Sequence, residues 1–340
     1  MTGNRQRGDG GPASAAAGPG DPDSLRTAGI ASGLTAALRV VVITVATTLL
    51  VVACQIVRYS GAEPLGPVPD GALRLATHNV HYILLNEERG RWSVGHWEER
   101  RGALDLAFKA LEADVVAFQE MESFAGGSES EVNLALDWLL ERNGGYAAAA
   151  VGDPSEFPST QPILYRRARL DMLDQGWFFF SETPDVIYSR TFDGSYPAFA
   201  SWARFRERDE GGRAFRVVNV HTDFRSRENR RRSIELVASR VGPWIEAGES
   251  VFLAGDLNAR LGSPLHERLE AAGLAFVPVR GATYHFGRGI NLFGAIDHIA
   301  YGPGIASLGE PRVLSRRFDG EWPSDHYPLV ADFVLEPVTP

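Results

Sequence analysis

The chain has 340 residues, 44 % of them hydrophobic, which is enough for one large or two medium domains. Its formal charge of −9 argues against tight, nonspecific binding of a polyanion in the absence of a local basic stripe. The single cysteine, Cys54, excludes a disulfide framework, a thiolate zinc site and redox chemistry.

Residues 1–27 are rich in Gly, Ala, Ser, Pro and Asp and poor in large apolar side chains, so a disordered tail is expected there. Residues 28–58 read as a membrane anchor. Its core, residues 40–57, is an uncharged apolar run bounded by Arg39 and Arg58, and a helix of that length crosses a bilayer. A cleaved secretory signal is one alternative. A lipid anchor on Cys54 is another, since Val51-Val52-Ala53-Cys54 is similar to a bacterial lipobox. Arg39 and the arginines before it place the N-terminus in the cytoplasm and the bulk of the chain outside. Residues 59–72 form a Pro/Gly-rich linker.

From residue 73 to 337, short β-rich runs alternate with helical patterns. The expected strands are residues 73–80, 114–119, 162–166, 202–207, 214–221, 250–256, 295–301 and 327–335. The expected helices are residues 97–113, 131–143, 229–247 and 264–273. In the first, Leu104, Ala107, Phe108 and Leu111 make one apolar stripe at helical spacing. Such interleaving indicates an α/β layered domain and leaves open whether it holds one sheet or two.

Several apolar runs stop on a polar group, as buried strands do when they deliver their last residue to a sheet's rim. Asn79 ends LRLATHN, Glu120 follows DVVAFQ, and His221 ends FRVVNVH. Later come Asp256 and Asn258 in LAGDLNAR, Asp297 and His298 in GAIDHIAY, and Asp325 and His326 in PSDHYPLVADF. Carboxylates, amides and imidazoles form a hard-oxygen set suited to Mg²⁺ or Mn²⁺, with nitrogen bases for proton transfer.

This ordered set resembles the endonuclease/exonuclease/phosphatase superfamily of divalent-metal phosphoesterases, from about Leu73 to Leu335. The resemblance implies a four-layer α-β-β-α sandwich of two mixed sheets. It also implies a metal centred on Glu120, with Asn79 beside it and Asp325 contributing directly or through water. His326 would activate the attacking water, oriented by Asp297. Asp256 and Asn258 would orient that water or bind a phosphoryl oxygen, and His221 would contact the phosphate or protonate the leaving oxygen. Where apurinic-site endonucleases carry an Asp two positions after the Asn, this chain has His81, which puts a second metal in doubt.

Other segments carry two readings each. The run Arg225 to Arg232, with Arg230 at its centre, is a phosphate clamp or anionic-lipid contact, or else a solvated helix face. His285, after Thr283 and Tyr284, lines the pocket or is an ordinary loop histidine. His298 is expected on the opposite face of its strand from Asp297. The aromatic run Trp177 to Arg190 packs a loop or forms a rim for an apolar part of a substrate. The expected function is an anchored, extracytoplasmic, Mg²⁺- or Mn²⁺-dependent hydrolase of a lipid, small-molecule or nucleic-acid phosphoester, with no protein partner inferred. An extracellular nuclease and a non-catalytic phospholigand-binding module are the alternatives.

Overall fold

A computed structural model describes residues 22–60, 64–124, 132–194, 196–209 and 212–336, with side chains from residue 35 onward. It divides into two units, residues 1–53 and 54–340. Helix α1 spans Pro22–Tyr59. Its stretch Thr35–Tyr59 is long and apolar enough to cross a membrane. The expected tail lies outside the described residues up to residue 21, while residues 22–27 are already helical. Pro22 opens that helix, a position where its fixed φ and missing N–H are harmless.

The remaining elements follow in order: β1 Leu73–Asn79, β2 Ile83–Leu84, α2 Val94–Leu111, β3 Val115–Gln119, β4 Ser123–Phe124, α3 Leu134–Arg142 and β5 Tyr146–Ala149. After these come β6 Ile163–Arg166, β7 Leu170–Phe179, β8 Phe199–Glu207, β9 Ala214–His221, α4 Arg227–Glu246 and β10 Ser250–Asp256. The chain closes with α5 Pro264–Ala271, β11 Ala275–Phe276, β12 Asp297–Tyr301, β13 Ile305–Val313 and β14 Leu329–Leu335.

Two six-stranded mixed sheets result, in the orders β13-β14-β1-β3-β6-β5 and β11-β12-β10-β9-β8-β7. Strand alternation sorts their side chains into layers. Leu73, Leu75, Val115 and Ala117 face Val217, Phe252, Ala254 and Ile299 of the other sheet and form the central core. The intervening residues Ala76, Val116 and Phe118 turn outward onto Leu104, Ala107, Phe108 and Leu111 of α2. On the far side, Val218, Val251 and Leu253 meet Ile234, Val237 and Val241 of α4. The order is therefore helix, sheet, sheet, helix, which resolves the choice between one sheet and two.

Six strands went unread in the sequence: β2, β4 and β11 have only two residues each, and the three longer ones share a reason. β5, β7 and β13 lie at sheet edges, where half of each strand's backbone groups are unpaired and polar faces are tolerated. β13 also contains Gly309 and Pro311 and shifts register between Leu308 and Arg312, a bulge that its edge position permits. Part of the linker is likewise tied down. Leu65 packs against the α2 side of the first sheet, and the Gly66 carbonyl accepts a 3.0 Å hydrogen bond from Arg74 Nη2.

Parallel pairing sets up the site. β1 and β3 run parallel with Asn79 opposite Gln119, and β9 and β10 run parallel with His221 opposite Asp256. Antiparallel β12 brings Asp297 opposite Asp256. Asn79, Gln119, His221, Asp256 and Asp297 all share the inward parity of the central core, so the core ends in polar groups at one rim.

Candidate active site

Backbone geometry delivers the remaining groups. Glu120 would point away from the inter-sheet space if β3 simply continued, but its φ of 53° turns it back toward Asn79. Asn258, with φ 45°, and His81, with φ 61°, adopt the same left-handed conformation. Three non-glycine residues in this region around one rim indicate backbone strain held by surrounding structure. Gly255 is required next to Asp256: its φ is 149°, and a Cβ there would lie 1.9 Å from the Val220 carbonyl oxygen.

Asn79 is the hub. Its Nδ2 donates to Glu120 Oε1 at 3.0 Å and to Asp256 Oδ2 at 3.2 Å, while its Oδ1 accepts from the His81 N–H at 3.1 Å. In this arrangement Asn79 clamps two carboxylates with its nitrogen. His221 Nε2 lies 3.7 Å from both Glu120 Oε1 and Asp256 Oδ2. Asp256 Oδ1 accepts from the Asn258 N–H at 2.8 Å, and the Asn258 amide donates to the Thr222 carbonyl at 2.9 Å.

His326 Nδ1 sits 2.9 Å from Asp297 Oδ2, and its Nε2 sits 3.8 Å from Asp256 Oδ2. Burial alone would lower the proton affinity of His326, but Asp297, Asp256 and Asp325 outweigh it and raise the imidazole far above its ordinary 6.5. Burial, reinforced by Asp297, pushes the Asp256 carboxyl up to about 6. Burial opposes ionisation of Asp297 too, yet His326 holds it below the usual range.

Asp325 is engaged at both oxygens, Oδ1 with His81 Nδ1 at 3.1 Å and Oδ2 with Arg91 Nη2 at 2.6 Å. Arg91 carries no signal in the sequence that ties it to the rim. Beneath it, Arg100 is buried and donates to the carbonyls of Val80, His81 and Pro323 at 2.6–2.8 Å, pinning the first and last motifs together. Between the sheets, Gln119 Nε2 donates to Asn219 Oδ1 at 2.6 Å, and Asn219 Nδ2 donates to the Phe118 carbonyl at 2.7 Å. This fully buried amide pair supports the site from below, and its residues look like ordinary strand positions in sequence.

The ambiguous segments separate clearly. His298 lies on the far side of its strand, its Nε2 2.8 Å from the Ala259 carbonyl and its ring 4.5 Å from His266. His285 is fully buried against Tyr327, 4.0 Å between centroids, so it packs rather than lines a pocket. Phe178 and Phe180 are buried as well, whereas Phe179 and Tyr188 of the same run line a cavity beside Glu120 and His221, so the run both packs and forms a rim. In the arginine run, Arg231 pairs with Glu228 and Glu235, and Arg232 with Glu182, as on a solvated face. Arg230 instead turns inward and donates to the Asp223 carbonyl at 2.7 Å.

Asp256, Asp297 and His326 present ligand atoms within 4.8 Å of one another. The donor chemistry fits a hard divalent cation: the carboxylates of Glu120, Asp256 and Asp297 gather around Asn79, His221 and His326, and Asp256 is raised first by burial and then by Asp297, a cost that positive charge would relieve. Because Asp297 Oδ2 and His326 Nδ1 are spent on each other and both oxygens of buried Asp256 already accept hydrogen bonds, the part-exposed carboxylate of Glu120 is the one most open to a cation.

The sequence profile described as the Endonuclease/Exonuclease/phosphatase family matches residues 76–326. Solved structures share the fold. A mannosyl-6-phosphatase of Bacteroides thetaiotaomicron superposes with TM-score 0.63 at 22 % identity, covering 77 % of this chain and 99 % of that one. An endonuclease/exonuclease/phosphatase of Bacteroides vulgatus gives TM-score 0.64 at 24 % identity, covering 78 % and 99 %. D. rerio TDP2 complexed with single-strand DNA product gives TM-score 0.54 at 16 % identity, covering 78 % and 99 %. No curated protein sequence matches the chain.

Proposed function

This chain belongs to the endonuclease/exonuclease/phosphatase family, whose members are phosphoesterases and nucleases, and from that premise we propose that it is a metal-dependent phosphoesterase presented outside the membrane. Residues 28–58 anchor it, residues 59–72 lead out of the bilayer, and residues 73–337 form the catalytic domain. The observation that carries the reading is the single buried cluster in which Asn79 clamps Glu120 and Asp256 while Asp297 holds His326.

In this proposal Glu120 is the principal ligand of Mg²⁺ or Mn²⁺, Asn79 would join it with its amide rotated so that Oδ1 faces the ion, and Asp325, held by His81 and Arg91, would contribute through water. When bound, the ion neutralises phosphoryl oxygens and offsets the carboxylates that hold the His326 proton. Asp297 fixes the His326 tautomer by accepting a hydrogen bond from Nδ1–H, so Nε2 faces Asp256 and the attacking water. Asp256 and Asn258 orient that water, and His221, bordering Glu120, contacts the phosphate or protonates the leaving oxygen. Arg230 contacts the phosphate side from α4.

A lipid or small-molecule ester is preferred over nucleic acid because the chain is acidic and carries an apolar helix. The mannosyl-6-phosphatase with this fold is consistent with a small substrate. The test is detergent-solubilised full-length protein with Mg²⁺ or Mn²⁺ against phosphosugars, phospholipids, and single- and double-stranded DNA and RNA. Hydrolysis abolished by EDTA and restored by Mg²⁺ supports the proposal. Phospholigand binding without hydrolysis of any ester would leave only a binding module, and exclusive, steeply salt-dependent cleavage of polynucleotides would make it a nuclease.

A further inference from the structure

The clustered residues lie between two recesses of opposite chemistry. On the side of Glu120 and His221 is a cavity of about 490 Å³ walled by Tyr82, Phe124, Tyr196 and Phe199, with Glu122 as its second carboxylate. Among the described residues no arginine or lysine lines it. On the side of Asn258 is a groove of about 810 Å³ lined by Arg227, Arg230, Arg231 and Arg260, and among the described residues no carboxylate lines that one. In a chain of net charge −9, a groove whose described lining holds four arginines and no carboxylate is a pronounced local inversion.

The four arginines are not equivalent. Arg231 is paired with Glu228 and Glu235, and Arg230 gives one guanidinium nitrogen to the Asp223 carbonyl. Arg227 and Arg260 are exposed, and among the described residues neither has a carboxylate within ion-pair distance. They approach the groove from independent elements, Arg227 from the first turn of α4 and Arg260 from the segment that follows Asp256 and Asn258. Arg260's segment is fixed where it leaves the site, because the Ala259 carbonyl contacts His298 Nε2 at 2.8 Å and the Leu257 N–H donates to the Ile296 carbonyl at 3.0 Å. Two guanidinium groups held apart by rigid supports, with the α4 N-terminus beside them, suit a group with several anionic oxygens.

We infer that the Arg227–Arg260 groove is a second anion subsite, binding an additional phosphate of the substrate while the scissile phosphate occupies the Glu120–Asp256–His326 cluster. The inference rests on the proposed phosphoesterase reading and narrows it to substrates carrying two phosphates. The aromatic cavity on the opposite side takes the uncharged portion of the same molecule, because no arginine or lysine among the described residues lines it to pair a third anion, and burial pushes the Glu122 carboxyl up to about 8. A nucleoside bisphosphate and a ring-phosphorylated phosphoinositide both present this chemistry.

The experiment uses full-length protein in detergent and two substrate pairs: a nucleoside monophosphate against the matching bisphosphate, and a short-chain phosphoinositide with one ring phosphate against the same lipid with two. In at least one pair the bisphosphate is expected to have a kcat/KM about tenfold or more higher, carried by KM, with the preference collapsing in the R227Q/R260Q double variant. The pair that shows it identifies the source of the phosphate. Calorimetric binding of the same four ligands to Glu120→Gln protein, with and without the two arginine changes, separates failure of the subsite from failure of the reaction. Tighter bisphosphate binding that depends on the arginines, without turnover by the otherwise unaltered protein, sinks the phosphoesterase reading and keeps the subsite. Equal binding of mono- and bisphosphates, or a preference that survives the double variant, overturns the inference.

Discussion

Asp297 Oδ2 lies 2.9 Å from His326 Nδ1, and neither group has a comparable use for that atom elsewhere. The pair joins β12 of one sheet to the segment entering β14 of the other, so it forms only when both sheets have closed. It also decides the charge of the imidazole, since burial would strip the proton that Asp297 retains.

Asp297→Asn removes that charge and presents a donor or acceptor of uncertain sense to Nδ1. Activity on the best phosphoester is expected to fall by about 10²–10⁴-fold. His326→Ala should fall comparably, and the double variant little further, because residues acting as a unit do not add. Steady-state kinetics of the three variants checks this. Additive losses would show that the two side chains act separately.

Glu120→Gln keeps the shape of the side chain and its contact with Asn79 while removing its charge. Mn²⁺ binding by calorimetry should weaken by at least tenfold, with the melting temperature in EDTA nearly unchanged. Exposed Glu98→Gln is the control. Unaltered Mn²⁺ affinity in Glu120→Gln would remove Glu120 from the metal site.

Gly255→Ala tests the close approach of β9 and β10. A methyl group 1.9 Å from the Val220 oxygen, on a backbone with φ 149°, cannot be accommodated without separating the strands. A loss of about 4 kcal/mol or more, or no folded protein, is expected. Gly102→Ala, on α2 with open space around the added carbon, should instead be neutral or stabilising by about 0.5–1 kcal/mol. Melting temperatures of the pair decide it.

His266 supplies a pH test remote from the rim. Burial, with a smaller effect of neighbouring His298, lowers it from 6.5 to about 3. Between those values the unfolded chain binds a proton that the folded chain refuses, so this group's contribution to stability is present above pH 6.5 and declines as pH falls toward 3. Asp256, raised to about 6, works in the opposite direction over part of the window. The difference between His266→Phe and unaltered protein therefore isolates the effect. The variant's stability from urea unfolding should depend less steeply on pH, by up to about 1.4 kcal/mol per unit between pH 4.5 and 6. Parallel curves would mean that His266 titrates normally in the fold.

The central strands were legible because burial on both faces writes itself as unbroken apolar runs. β1, β3, β9, β10, β12 and β14 all stand where those runs predict, as do the cores of the helices. The edges β5, β7 and β13 were not legible, because a strand paired on one side tolerates polar residues, glycine and proline. Among polar residues, those that terminate an apolar run stood out. Arg91, Arg100, Gln119 and Asn219 did not, since each acts through a partner between 19 and 234 positions away.

By itself the sequence determined the kinds of chemical groups available and the order in which strands would deliver them, because hydrophobic periodicity and residue type are local properties. Tertiary structure alone decided which of them touch. Asn79 turns its nitrogen to two carboxylates, Asp325 pairs with His81 and Arg91, and two arginines face an acid-free groove. Those outcomes depend on how two sheets pack and on three left-handed backbone turns, which no short stretch of sequence encodes.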